Sequence, residues 1–402
     1  MLFNASQSEE WFNKRKSMML PITERDRRYK KVRELMVKQG IDCLVVCALG
    51  LSPFHEGNVR YLIGDTFKNQ SHDEYVIFPL EGEPTFVLSY GFRAPWARRN
   101  TWIKNIKAPA DVRGKDMKVL PIIDPIKELG YEKGTIGICR DIMPVYAYQM
   151  LVDGLPEARF VDCSTLLLEA RRVKSEVEIR LAEESARIAD MAFDRCKEIL
   201  REGILEHQLV AEEEHILRAN GCEKVYEIVV SDRVSVACAT WPIIPKIIKR
   251  GETTLTEISP CFGGYWTQIL RAYSIGKPDP KIEEMFKVTS EAHIAGTEYL
   301  KPGNTVGKVA EVIENIITSN GYKILVRAGH ASIGLDLLET PLRPSDKTIL
   351  EPGMIMVIHP SASVLDYSIG KPAIGGPGDT YVITKEGHRR LNKAPQELVY
   401  ID

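Results

Sequence analysis

No run of about 18 apolar residues occurs in this 402-residue chain, so no transmembrane helix is expected. Charge of one sign is equally scarce. Lys and Arg number 53 and Asp and Glu number 55, leaving a net charge of −2. There is thus no global electrostatic case for nucleic acid or an anionic membrane as partner. The opening residues, MLFNASQSEEWFNKRKS, lack the apolar stretch of a secretory signal, and a cytoplasmic protein is expected. The eight cysteines (43, 47, 139, 163, 196, 222, 238 and 261) are scattered. Cys43 and Cys47 have CxxxC spacing, which is neither a zinc nor a redox motif, and all eight read as reduced thiols. GGPGD at 375–379 is not a P-loop, because it lacks the GK[ST] ending and a following helix. No repeat with a period of 20–50 residues and no low-complexity segment is present.

What is there is an ordinary soluble composition, 44% hydrophobic and 27% charged, in a chain long enough for two domains. The periodicity predicts a helix from Ile22 to about Gln39, ended by Gly40. Strand DCLVVCAL follows, then NVRYLIG (58–64), read as a turn and strand. YVIFPL (75–80), an EGE turn and PTFVLSY (84–90) read as a hairpin. TIGICRD (135–141), a helix through Tyr148 and ARFVDCS complete an α/β domain over residues 1–171. The pattern changes near Arg171. A long amphipathic helix opens with a capping box at Ser175 and Glu178, and a second spans about 205–220. Strands then dominate, broken by helices at 279–300 and 305–320, the latter with Asn304 as its cap. Residues 172–402 therefore read as α+β, an antiparallel sheet covered by helices.

Polar residues concentrate at four places in this second half. The first is the paired strands of 251–276, which turn at Gly263-Gly264 and carry Glu257, Gln268 and Arg271. The second is GHASIGLDLLE (329–339) with His330, the third is VIHPSAS with His359, and the fourth is GGPGDTYVIT with Asp379. A lone histidine is more often structural than catalytic, and a Gly-rich turn is usually only a turn.

Their order and flanks resemble the creatinase, aminopeptidase P, prolidase and methionine aminopeptidase superfamily, the pita-bread fold. NVRYLIG resembles the N(I/V)RYLTG segment of the creatinase-type N-terminal domain. ARRVKSEVEI resembles the entry to the catalytic domain, and Arg271 matches the arginine of D-M-T-R-T. GHASIGLDLLETP resembles GHGIGLDVHE-P, and LEPGMIMVIHP resembles LEPGMVxxxEP. The fold implied is an α/β N-terminal domain followed by a pita-bread domain.

The resemblance also implies five metal ligands: two Asp, one His and two Glu. At the matching positions this chain has Glu257, Gln268, His330, His359 and Gly378. Only the histidine is unchanged. Gln268 cannot bridge two dications and Gly378 supplies no side chain. Creatinase offers a metal-free precedent on the same fold. This chain shares Gly264, Tyr265, Thr267 and Arg271 with it. It has Leu270 and Leu338 where creatinase has a glutamate and a histidine, and no histidine near Thr240-Trp241.

The resulting expectation is a metal-independent, creatinase-like hydrolase without cofactor, cleaving a C–N bond of a small carboxylate-bearing substrate. His330 and His359 would transfer protons, assisted by Glu257. Arg271, Gln268, Tyr265, Trp241 and Asp379 would hold the substrate, with Arg271 equally open to pairing Glu257 or Asp379 as scaffold. The resemblance further implies a homodimer, in which Gln70 and His72 of the N-terminal domain reach the other subunit's site. The alternatives are a metal-dependent Xaa-Pro dipeptidase or aminopeptidase, a lyase or decarboxylase on a small acid, and a non-catalytic binding module. A single divalent metal on Glu257, His330 and His359 is the alternative cofactor.

Overall fold

The computed structural model describes residues 20–48, 54–64, 74–109, 121–232, 246–324, 327–364 and 373–402. They fall into two compact units, Met1–Arg172 and Val173–Asp402. Among the described residues no helix is long and apolar enough to cross a membrane.

The first unit is a six-stranded sheet with helices. Its strands are β1 (Cys43–Ala48), β2 (Glu74–Pro79), β3 (Thr85–Val87), β4 (Asn105–Lys107), β5 (Thr135–Ile138) and β6 (Arg159–Asp162), in the order β4-β3-β2-β1-β5-β6. The expected hairpin is present as antiparallel β2 and β3. The helices are α1 (Ile22–Gln39), α2 (Gly57–Ile63), α3 (Ala94–Asn100), α4 (Asp124–Glu128), α5 (Val145–Gly154) and α6 (Ser164–Arg171). Gly40 ends α1 in the left-handed region, at φ 64°, where glycine carries no Cβ penalty. α2 corrects the expectation of a turn and strand at NVRYLIG. All seven of its residues are buried, so it shows no polar face and no helical period to read. Asn58 and Arg60 hold it in place. The Arg171 guanidinium donates to Asn58 Oδ1 at 2.6 Å, and Arg60 pairs with Glu56 at 3.0 Å.

The second unit opens with α7 (Glu176–Ile199), whose Ser175–Glu178 capping box is formed in both directions, and α8 (Glu206–Ala219). Strands β7 (Lys224–Asp232), β8 (Thr253–Phe262), β9 (Tyr265–Trp266) and β10 (Ile269–Ile275) follow. Helices α9 (Pro280–Thr297) and α10 (Val306–Ser319) come next. The cap of α10 is Thr305, whose Oγ1 accepts from Lys308 N at 3.1 Å. Asn304, the expected cap, instead donates to the Tyr299 carbonyl. The chain ends in β11 (Gly329–Ser332), β12 (Thr340–Pro341), β13 (Ile355–Ile358), β14 (Ser361–Ser363), β15 (Ala373–Gly375), β16 (Asp379–Ile383), β17 (His388–Arg390) and β18 (Val399–Ile401). One sheet runs β18-β10-β8-β7 and the other β12-β11-β13-β16-β17. α7 and α8 cover one face of the first sheet, where Phe193 stacks on Tyr273 and Ser185 donates to the Pro260 carbonyl. α9 and α10 form a continuous apolar core with Leu255, Ala272, Met356, Ile358 and Ile374. Paired hydrogen bonds between Leu270 and Gly378 (3.0 and 3.1 Å) stitch β10 to the chain entering β16.

Candidate functional site

β8 and β10 pair antiparallel and turn at Gly263 (φ 62°) and Gly264 (φ 86°). Both turn amides donate to the Glu223 carboxylate, and glycine takes two successive positive φ angles without strain. Every residue of β8 is buried except Glu257, which is half-buried. On β7 the residues of the same face, Tyr226, Ile228 and Val230, are half-buried while Glu227 and Val229 are buried. That alternation leaves one face of the sheet partly open, a shallow hollow with Glu257 on its floor.

Gln268 is pinned at the floor by its backbone. Its N–H donates to Thr380 Oγ1 at 2.9 Å, and the same hydroxyl donates back to the Gln268 carbonyl at 3.0 Å. The side-chain amide donates to Glu257 Oε1 at 2.7 Å and to Ser259 Oγ at 3.2 Å. This leaves Gln268 Oε1 buried without a partner among the described residues. His330 and His359 come from β11 and the end of β13, which pair antiparallel. Their rings stand nearly perpendicular with centroids 5.2 Å apart. His330 Nδ1–H donates to the Leu337 carbonyl at 2.9 Å, so Nε2 carries the lone pair. His359 Nε2 is buried and unpartnered among the described residues.

Burial sets the proton affinities. Desolvation lowers His330 well below the ordinary histidine range, helped by His359 and Arg327. It lowers His359 to about 4, again with Arg327 contributing. Both imidazoles are therefore neutral at pH 7. Desolvation raises Glu257 to about 7, and the Arg327 cation pulls the other way. Arg327 is the residue that sequence reasoning missed. It lies close enough to act on Glu257, His330 and His359 together, and its Nε is buried without a hydrogen-bond partner among the described residues. The one available signal was its place two residues before Gly329-His330. Tyr226 was missed as well. It shares the Glu257 face of the sheet, and its hydroxyl is raised by burial and by the Glu257 charge.

The other expected residues lie elsewhere. Arg271 is buried and pairs with Asp379 at 2.7 Å. Its remaining bonds go to the carbonyls of Leu270, Gly378 and Ala394. The second Asp379 oxygen accepts from Gln396 at 2.6 Å. Of the two uses open to Arg271, pairing with Asp379 inside the scaffold is the one made. The Tyr265 hydroxyl donates to Glu178 on α7 at 2.6 Å, which sets its ring against the helix. Trp241, Gln70 and His72 lie outside the described residues.

Two metal ions do not fit this floor. Gln268 already donates to Glu257 where bridging carboxylates are required. A Cβ at Gly378 would stand 2.8 Å from both His359 Cβ and Leu270 Cβ, so no fifth ligand can enter there without repacking. A fixed cation, Arg327, acts on the same three groups. The single-ion alternative on Glu257, His330 and His359 fails too. Among the described residues no three His, Cys, Asp or Glu side chains come together to hold a metal.

Comparison with known proteins places this site in context. Residues 180–385 match the metallopeptidase family M24, and residues 28–173 match the creatinase/prolidase N-terminal domain. The Xaa-Pro dipeptidase of Pyrococcus horikoshii is 26% identical over 92% of this chain and 98% of its own. The ectoine hydrolase of Halomonas elongata is 27% identical over 94% and 98%. The crystal structure of the Pyrococcus horikoshii prolidase superposes with a TM-score of 0.77 at 25% identity, over 92% of this chain and 99% of that one. These matches correct two expectations. A metal-independent creatinase-like hydrolase is not what they favour, because the matching family is one of metallopeptidases and the Pyrococcus horikoshii Xaa-Pro dipeptidase aligns over nearly its whole length. The expected absence of a cofactor is overturned at the level of the family, which is one of metallopeptidases, although the residues at the five positions in this chain do not form its paired-metal floor. By the match across its second unit, this hydrolase chain belongs to metallopeptidase family M24, with the creatinase/prolidase N-terminal domain ahead of a pita-bread fold.

Proposed function

We propose that this chain hydrolyses the amide bond of a dipeptide-sized substrate of the Xaa-Pro type. The observation that carries the reading is the end-to-end match to an Xaa-Pro dipeptidase, over 92% of this chain and 98% of the relative. The chemistry of the floor is compatible with it. Glu257, raised to about 7, is poised to give or accept a proton near neutrality. The neutral His330 and His359 rings are available as proton acceptors. On this reading residues 172–402 carry the reaction and residues 1–171 form the accessory N-terminal domain. The protein acts as a cytoplasmic homodimer. The buried free thiols among the described residues agree with a reducing compartment.

The test is release of proline from Ala-Pro, Leu-Pro and Gly-Pro by purified protein, with Mn²⁺, Co²⁺ or Zn²⁺ added and with chelator. Saturable release under at least one condition is expected. No release from any dipeptide under any condition would overturn the reading, and a monomer by analytical ultracentrifugation would remove the dimer.

A further inference from the structure

Three polar atoms of the floor are buried and unanswered among the described residues: Gln268 Oε1, His359 Nε2 and Arg327 Nε. Buried polar groups in native proteins are nearly always hydrogen-bonded, so three orphans in one cluster require an explanation. Each orphan has a chemical sense. Gln268 uses its amide nitrogen on Glu257 and Ser259, so what it offers the hollow is an acceptor. His359 is neutral, and its ring nitrogen offers either a lone pair or a proton according to tautomer. Arg327 offers only donors and a positive charge. A partner that answers all three therefore carries an anionic acceptor for Arg327 and an N–H donor for Gln268 within one small molecule.

The neighbouring groups sharpen this. Glu257 is the one carboxylate whose charge Arg327 moderates here, and Glu257 is already bound by the Gln268 amide. Asp379 is committed to Arg271 and Gln396. Among the described residues, no hydrogen bond answers the Arg327 Nε–H. Its half-buried guanidinium is thus held at the hollow by the chain entering β11 with a donor to spare. A planar guanidinium meets a carboxylate through two parallel N–H bonds, which a lysine cannot reproduce.

We propose that Arg327, with the Gln268 carboxamide oxygen and the His359 ring, is the recognition group for a small zwitterion. The ligand carboxylate lies on Arg327, and its amine or imine N–H lies on Gln268 Oε1 and His359 Nε2. The proposal deepens the peptidase reading by naming the product the floor holds, since the proline nitrogen gains its N–H only when the Xaa-Pro bond is cleaved. It nonetheless concerns binding alone and survives if no bond is cleaved.

The test is calorimetric titration of the full-length protein with L-proline, L-prolinamide and N-acetyl-L-proline. L-Prolinamide lacks the carboxylate and N-acetyl-L-proline lacks the N–H donor. Saturable L-proline binding is expected, with each analogue weaker by about tenfold or more, the size of one lost charge-assisted contact. Arg327→Met should weaken L-proline by a similar factor while leaving L-prolinamide unchanged, and Arg327→Lys should recover only part of the loss. Gln268→Met, which keeps the side-chain length but removes the acceptor, should narrow the gap between L-proline and N-acetyl-L-proline. Equal binding of all three ligands, no saturable L-proline binding to the parent protein, or an Arg327→Met protein that melts normally and binds L-proline as well as the parent would each overturn the proposal. Hydrolysis of Xaa-Pro dipeptides undiminished by Arg327→Met would sink this inference and leave the peptidase reading standing. Binding of L-proline without hydrolysis would do the reverse.

Discussion

The sheet of β7, β8 and β10 presents two carboxylates to two different worlds. Glu257 stands opposite Ile228, and Glu227 stands opposite Ile258, one register step away. Side chains alternate across a strand, so that single step sends them to opposite faces. Glu257 faces the hollow, with Gln268 bonded to it and the Arg327 cation nearby, and is raised to about 7. Glu227 faces α7 and α8, is fully buried, and has neither oxygen partnered among the described residues. Desolvation and its neighbour Glu213 raise it to about 9, and Glu213 itself reaches about 8 while accepting from the Cys196 thiol at 2.8 Å. Both faces bury acids. The difference is that the front face is partly open, whereas the rear face is sealed and keeps its acids neutral by burial and by the repulsion of neighbouring carboxylates, against a weaker pull from Arg218. Perturbed acids by themselves do not mark a site; the opening and the unanswered donor beside them do.

The sharpest way to break this comparison is paired variants on the two faces. His359→Ala or Glu257→Gln should lower kcat/KM on the best Xaa-Pro dipeptide by about 10²- to 10⁴-fold, the usual reach of a lost acid/base group. Glu227→Gln should leave kcat/KM within about twofold. Equal losses on both faces, measured by steady-state kinetics, would erase the distinction.

The next effect concerns the scaffold that separates the faces. Arg271→Met leaves Asp379 buried without its cation and should cost about 3–5 kcal/mol in urea denaturation, because the uncompensated charge remains inside. A loss under about 1 kcal/mol would return Arg271 to the role of substrate clamp.

The smallest effect is a pH dependence. Glu213 and Glu227 hold protons in the folded state that an unfolded glutamate releases near its ordinary value of 4.5. Stability contributed by those neutral acids is present in full below that value and falls as pH climbs through about 8 and 9. His293 and His359, lowered to about 4, act at the other end. They stay neutral while unfolded histidine gains a proton, so stability falls as pH drops from about 6.5 to 4. Maximum stability is expected near pH 6. Glu227→Gln should flatten the alkaline limb by at least about 1.4 kcal/mol, one pKa unit's worth, in denaturation at pH 5 and pH 9. An unchanged limb would mean that the rear face is wet and its acids ionise freely.

Much of the architecture was legible because it rests on local signals. The helix over Ile22–Gln39 and its glycine stop follow from period and cap, as does the Ser175–Glu178 start of α7. The Gly57–Ile63 helix was not legible. A short element buried on every side carries no period, and its apolar letters suit a strand equally well. At the candidate site, the identity of the changed ligand positions could be read by resemblance. The Gln268–Glu257 bond could not, nor could the pairing of Arg271 with Asp379, 108 residues away in sequence.

The sequence by itself determined most of the element order, the family resemblance and the four altered letters among the five positions where two metals would otherwise be held. Only the tertiary structure decided that Glu257 opens on a hollow while Glu227 is sealed behind helices, and that Arg327, rather than Arg271, stands beside the histidines with a donor unspent. The reason is physical. Composition and period are local properties, but a side chain's face and partner depend on the register between strands far apart in the chain, and one residue of register inverts them.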